Sequence, residues 1–115
     1  MAKENVILDK SFEFALEIIE LYKFLQSKNE YVLSKQLLRS GTSIGANVEE
    51  GVGAFSKKDF TAKMGIALKE ARETRYWLRL LDKSQLVKID FISQLKKIED
   101  IVNILTKIVK TSQGN

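Results

Sequence analysis

Two stretches of the 115-residue chain concentrate side chains and glycines of the kind that chemistry uses. One is RSGTSIGANVEEG, Arg39 to Gly51, with three glycines, two serines, a threonine and an asparagine between hydrophobic runs. The other is KEARETRYWLRLLDK, residues 69–83, which mixes arginines, glutamates and the single tryptophan. Glycines clustered with hydroxyls cradle a phosphate when a strand leads in and a helix leads out, so that backbone N–H groups converge on the anion. Here the preceding YVLSKQLLRS has the helical spacing Leu33, Leu37, Ser40. No Gly-Lys-Ser/Thr follows, and Gly41, Gly45 and Gly51 do not fit G-x-G-x-x-G, which excludes a nucleotide loop.

A helix that runs straight through the stretch explains it better. Gly41 and Gly45 then cost about 1 kcal/mol each relative to alanine, a cost tolerated where small residues let a second backbone come close. Gln36, Ser40, Ser43, Asn47 and Glu50 step by four, three, four and three, a polar stripe flanking the apolar line. At a helix–helix seam such residues fix register by hydrogen bonding. Arg39, Ser40, Ser43, Asn47 and Glu50 are therefore read as a packing seam, with a ligand or RNA contact as the alternative.

In the second stretch Lys69, Arg72, Arg75 and Arg79 share one side of a helical wheel. Guanidinium pairs bidentately with phosphate oxygens, so these four, with Lys57 and Lys58 upstream, are the candidate nucleic-acid contacts. The competing reading pairs Arg72 and Arg75 with glutamates of this or a neighbouring helix, worth under about 1 kcal/mol each when exposed. Ile66, Glu70, Glu73, Trp77 and Leu80 lie on a different side. A large aromatic among carboxylates suits a subunit interface more than a catalytic acid pair, and an enzyme built on Glu50 or Glu73 would need a concave pocket.

Composition narrows the classes further. With no cysteine and no histidine, the commonest metal ligands, the commonest general base and the thiol nucleophile are all missing. The expectation is a non-enzymatic protein with no cofactor and no metal, in a reducing cytoplasm. MAKENVILDKSFEF lacks the apolar core of a signal peptide, and no run approaches the roughly 20 apolar residues of a membrane span. Charge is unevenly placed: residues 1–55 carry six Lys/Arg against eight Asp/Glu, net −2, and residues 56–115 carry thirteen against seven, net +6. An acidic partner would meet the second half.

Proline is absent, and apolar residues recur at three and four throughout, the helical period. The pattern predicts a single all-α domain over residues 1–115. Its first helix runs from an N-cap at about Asp9 to Ser27, and the second from a cap at Asn29 to about Glu50. A third runs from a Ser56 cap, with Asp59 completing a capping box, to about Asp82, and a fourth from near Asp90 to near Thr111. Short links between long helices favour an antiparallel up-down-up-down four-helix bundle. The first helix carries two apolar stripes: Leu8, Phe12, Ala15, Ile19 and Tyr22, and, about a third of a turn away, Phe14, Ile18, Leu21 and Leu25. In the fourth, Ile101, Ile104 and Ile108 widen the apolar side. A bundle helix needs an apolar arc of little more than about 100°, so the excess predicts burial against other copies. Phe14, Ile18, Leu21, Leu25, Ile66, Trp77, Leu80, Ile101, Ile104 and Ile108 are the candidate interface.

LLRSGTSIGANVEEG followed by SKKDFTAKMGIALKEARETRYWLRLL resembles the bacterial four-helix-bundle proteins encoded in intervening sequences of 23S ribosomal RNA genes, the S23 ribosomal protein family. The resemblance rests on Arg39, Ser40, Ser43, Ile44, Asn47, Val48, Glu50 and Gly51, then on Lys69, Glu70, Glu73, Thr74, Tyr76, Trp77 and Leu78. It implies a non-enzymatic homo-oligomer, with pentameric rings the associated form. It also implies kinship with the accessory proteins of diversity-generating retroelements, similar basic bundles that engage nucleic acid and a reverse transcriptase. The expected function is an oligomeric bundle that binds RNA, or a protein bound to nucleic acid, through its basic second half. The alternative is an assembly or protein–protein interaction module without nucleic acid.

Overall fold

The computed structural model describes residues 2–114. Four helices, α1 (Ala2–Ser27), α2 (Leu33–Val52), α3 (Lys57–Ser84) and α4 (Ile92–Gly114), follow one another with short links. Contacts run α1–α2, α2–α3, α3–α4 and α4–α1, and no diagonal pair brings Cα atoms within 8 Å among the described residues. The result is an antiparallel four-helix bundle of 46 × 20 × 20 Å, as the periodicity predicts.

Ile7, Phe14, Ile18, Leu21 and Leu25 of α1 meet Leu37, Ile44 and Val48 of α2, Met64, Leu78 and Leu81 of α3, and Ile98, Ile101, Leu105 and Ile108 of α4 in one core. Burying each such side chain is worth about 1.5–3 kcal/mol. Phe91, in the α3–α4 link, is fully buried and plugs one end of that core.

This packing corrects the expected interface. Phe14, Ile18, Leu21, Leu25, Ile101 and Ile108 are buried within the single chain, and Ile104 packs against the same core. A helix in a closed ring of four touches two neighbours and the bundle axis together, so its buried arc is wider than one contact face requires. The exposed apolar side of α1 is instead formed by Phe12 and Ile19 of its other stripe, 65% and 37% exposed, together with Leu16 at 51%.

Helix ends differ from expectation in informative ways. α1 starts at Ala2, so Asp9 lies inside the helix and caps nothing. Asn29 closes α1 with a left-handed backbone, φ 65°, a conformation that Asn tolerates better than most residues. The cap of α2 is Glu30: its Oε2 accepts from the backbone N–H groups of Val32 and Leu33 at 3.1 and 3.0 Å, and its Oε1 from Ser34 at 2.6 Å. A carboxylate there satisfies otherwise unpaired donors and complements the helix dipole. Ser56 does cap α3, accepting from the Asp59 N–H at 3.1 Å, and Asp90 accepts from the Ile92 N–H at 2.7 Å where α4 begins.

Gly41 faces α1 so closely that an added Cβ would lie 2.9 Å from Ile18 Cγ2. Gly65, on α3, has nothing within 4 Å of the same position. Gly65→Ala is expected to raise stability by up to about 1 kcal/mol through helix propensity alone. Gly41→Ala gains the same propensity but overpacks the core, at about 1–3 kcal/mol. Thermal unfolding followed by circular dichroism should separate the two, the first melting higher than the parent and the second lower.

Candidate nucleic-acid interface

The outward charge of α3 depends on how α3 is rotated, and α2 supplies the handholds. Arg39 of α2 reaches across and donates to Glu70 Oε1 at 3.3 Å and to Glu73 Oε2. Below it the buried hydroxyls of Ser40 and Thr74 hydrogen-bond at 2.8 Å, and Thr74 Oγ1 lies 2.8 Å from the Glu70 carbonyl. Further along, Lys63 Nζ donates to Glu50 Oε1 at 2.7 Å. Arg39, Ser40 and Glu50 therefore bridge α2 to α3. Ser43 and Asn47 turn back onto α2, donating to the Arg39 and Ser43 carbonyls.

With Glu70 and Glu73 drawn toward α2, the adjoining solvent side of α3 is left to cations, of which Lys69 lies one turn from Glu73 and acts on its charge. Lys58, Lys69, Arg72, Arg79 and Lys83 are exposed, and among the described residues none of them forms an ion pair. Arg75 does not belong to this row. Its Nη1 donates to both carboxylate oxygens of Glu99 on α4 at 3.2 Å, the ion pair that the competing reading anticipates. Lys57 and Lys58 stand about 17 Å from Lys69 at 1.5 Å of rise per residue, beside a shallow depression lined with Thr61, Ala62 and Ser112.

Sequence reasoning omits two members of the row. Lys83 continues it by the heptad offset Lys69, Tyr76, Lys83, a spacing visible in the sequence. Tyr76 sits in the middle, 54% exposed, and its ring meets Trp77 edge-on at 5.2 Å between centroids and 67° between planes. Trp77 is held in turn, since its Nε1–H donates to Glu73 Oε2 at 3.1 Å. Of the other α3 interface candidates, Ile66 is exposed and Leu80 is partly buried.

The groove between α1 and α4 is small. It encloses about 90 Å³ among Lys10, Glu13, Phe14, Glu17, Lys97, Asp100 and Ile101, against roughly 300–1,000 Å³ for ligand pockets. Its carboxylate Glu17 is engaged, accepting from Lys97 at 2.8 Å and from Ser93 at 3.2 Å. No helix among the described residues is long and apolar enough to cross a membrane.

Comparison with known proteins places these features in a wider set. The model of the family described as 23S rRNA-intervening sequence protein matches residues 3–107. A crystal structure of a protein of unknown function from the S23 ribosomal protein family, from Bacteroides thetaiotaomicron, is 49% identical to this chain. The two superpose with a TM-score of 0.88 over 94% of this chain and 98% of that one. None of the curated proteins matches.

Hydrogen bonding from Arg39 chiefly, helped by Trp77 Nε1–H, holds the Glu73 carboxyl below the ordinary carboxylate range. A carboxyl with a depressed folded pKa contributes stability above its unfolded value, about 4.3, that is lost as pH falls through the folded one. Trp77 fluorescence should therefore change on acidification with a midpoint below the ordinary Glu value of about 4.3. In Glu73→Gln that acid step should vanish; a step persisting unchanged would show that another carboxyl controls Trp77.

Proposed function

Because the chain belongs to the 23S rRNA-intervening sequence protein family, we propose that it is a non-catalytic, homo-oligomeric, cytoplasmic bundle that binds RNA, or a protein already carrying RNA, through the outward face of α3. The observation that carries this reading is the separation of charge on one helix. Glu70 and Glu73 are engaged by Arg39, while among the described residues Lys58, Lys69, Arg72, Arg79 and Lys83 form no ion pair and stand on the solvent side. Unpaired, aligned cations attract a polyanion and release its counterions on binding. The family's description, which refers to 23S rRNA, makes RNA the first polyanion to test.

Self-assembly is the second half of the proposal. Phe12, Leu16 and Ile19 leave apolar surface on the outside of α1, which seldom stays bare on a soluble chain. α1 and α3 occupy diagonal corners of the bundle, so copies joined through α1 leave every α3 row free. Five subunits, the number the family resemblance implies, would then present five rows to one RNA and gain affinity by multivalency.

Light scattering on the parent should give a multiple of 13.1 kDa, about 65 kDa for a pentamer. The pair Phe12→Asp and Ile19→Asp should yield a folded monomer with unchanged helicity, because both side chains are exposed already. A monomeric parent would sink the assembly proposal. For RNA, one phosphate contact for each of Lys58, Lys69, Arg72, Arg79 and Lys83 predicts a slope of log affinity on log salt of about −3.5 to −4.5. Arg72→Glu with Arg79→Glu should flatten that slope and weaken binding. No RNA binding by the parent at about 50 mM salt would remove nucleic acid from the proposal and leave an assembly module.

A further inference from the structure

We infer that the RNA held by α3 is single-stranded, with an unpaired base stacked on Tyr76 between the cations of the row; this rests on the RNA-binding reading above. Lys69, Tyr76 and Lys83 lie on one line of the helix at intervals of seven residues, and Arg72 and Arg79 lie on the adjacent line, four before and three after the tyrosine. The row from Lys69 to Lys83 is about 21 Å long at 1.5 Å per residue, with the aromatic ring at its centre.

Tyr76 contributes little to folding. It is half exposed and absent from the core cluster. Its ring is nevertheless positioned. The edge-on contact fixes one side against Trp77, Glu73 fixes Trp77, and Arg39 fixes Glu73. A ring supported from behind and open to solvent in front is a platform already ordered, so a base landing on it costs less conformational entropy than one landing on a mobile side chain.

The kind of RNA follows from what such a platform can use. In an A-form duplex the bases are stacked on one another, the major groove is deep and narrow, and a protein meets mainly phosphates and 2′-hydroxyls. A duplex would engage the four cations and leave Tyr76 without a base to meet. A single strand offers phosphates to the cations and a splayed base to the ring, the combination of charged track and aromatic platform that single-strand binders use.

Fluorescence anisotropy with the full-length protein tests the inference, using a labelled oligouridylate of about 20 nucleotides and a blunt RNA duplex of about 20 base pairs at low salt. The parent is expected to prefer the single strand. Tyr76→Leu should weaken oligouridylate binding by about five- to a hundredfold and leave duplex binding unchanged. Tyr76→Phe should retain the parent's affinity, because the ring and not the hydroxyl stacks. Arg72→Gln with Arg79→Gln should weaken both probes. Oligouridylate binding unchanged in Tyr76→Leu, or equal losses on both probes, would overturn the stacking while RNA binding by α3 stands. Failure of the parent to bind either probe would overturn both.

Discussion

Gly41 sets the distance between α1 and α2, and the rest of the bundle follows from that approach. With no Cβ, α2 can lean on Ile18 until a methyl group would lie 2.9 Å from Cγ2, and one turn later Gly45 passes the Ser11 backbone at a separation where a Cβ would just touch. A helix pressed this closely along its glycine side is held in rotation as well as in distance. Arg39, Ser40 and Glu50 then point to α3, where they find Glu70 and Glu73, Thr74 and Lys63. The apolar core supplies most of the free energy, while the glycine and polar sides of α2 select which rotation of each helix that energy stabilises. In coiled coils a single buried polar residue has the same effect on register.

Much of this architecture was legible in the sequence because it rests on period and cap chemistry, both local. Ser56 with Asp59 announced the start of α3, and the unbroken period through Arg39–Gly51 announced a helix in place of a phosphate loop. The start of α1 was not legible. AKENVIL carries helix-forming residues without a breaker, and Asp9 is as good a cap on paper as any. Nor was the exchange at the α1–α2 turn, where Asn29 closes one helix and Glu30 opens the next. Glu is not among the preferred capping residues, and only the turn's path brings its carboxylate back onto three N–H groups.

Pattern and packing differ most on α1. Both of its stripes are apolar, although the one with Leu8, Phe12 and Ile19 also contains Ala15 and Tyr22, and periodicity alone does not say which faces inward. A signal was present. Ile7, Ser11, Phe14 and Ile18 form one row in which the small member, Ser11, lies opposite Gly45, so small meets small at that crossing. The candidate site was half legible for a related reason: Lys69, Arg72 and Arg79 follow from wheel position, whereas the withdrawal of Arg75 by Glu99 depends on how near α4 comes.

Arg39 has an effect that outlasts its modest contribution to stability, since exposed ion pairs are worth at most about 1 kcal/mol each. It neutralises the two carboxylates beside a surface to which it does not belong, while Met64, Ala67, Ala71, Leu78 and Leu81 in the core hold the rotation of α3. α3 is a helix of mixed charge, and at 100° per residue a turn by a single position would bring Glu73 toward solvent in place of Arg72. What a passing polyanion meets is therefore decided by angle and not by composition. The same helix, re-indexed by one residue against its neighbour, would repel what it now attracts.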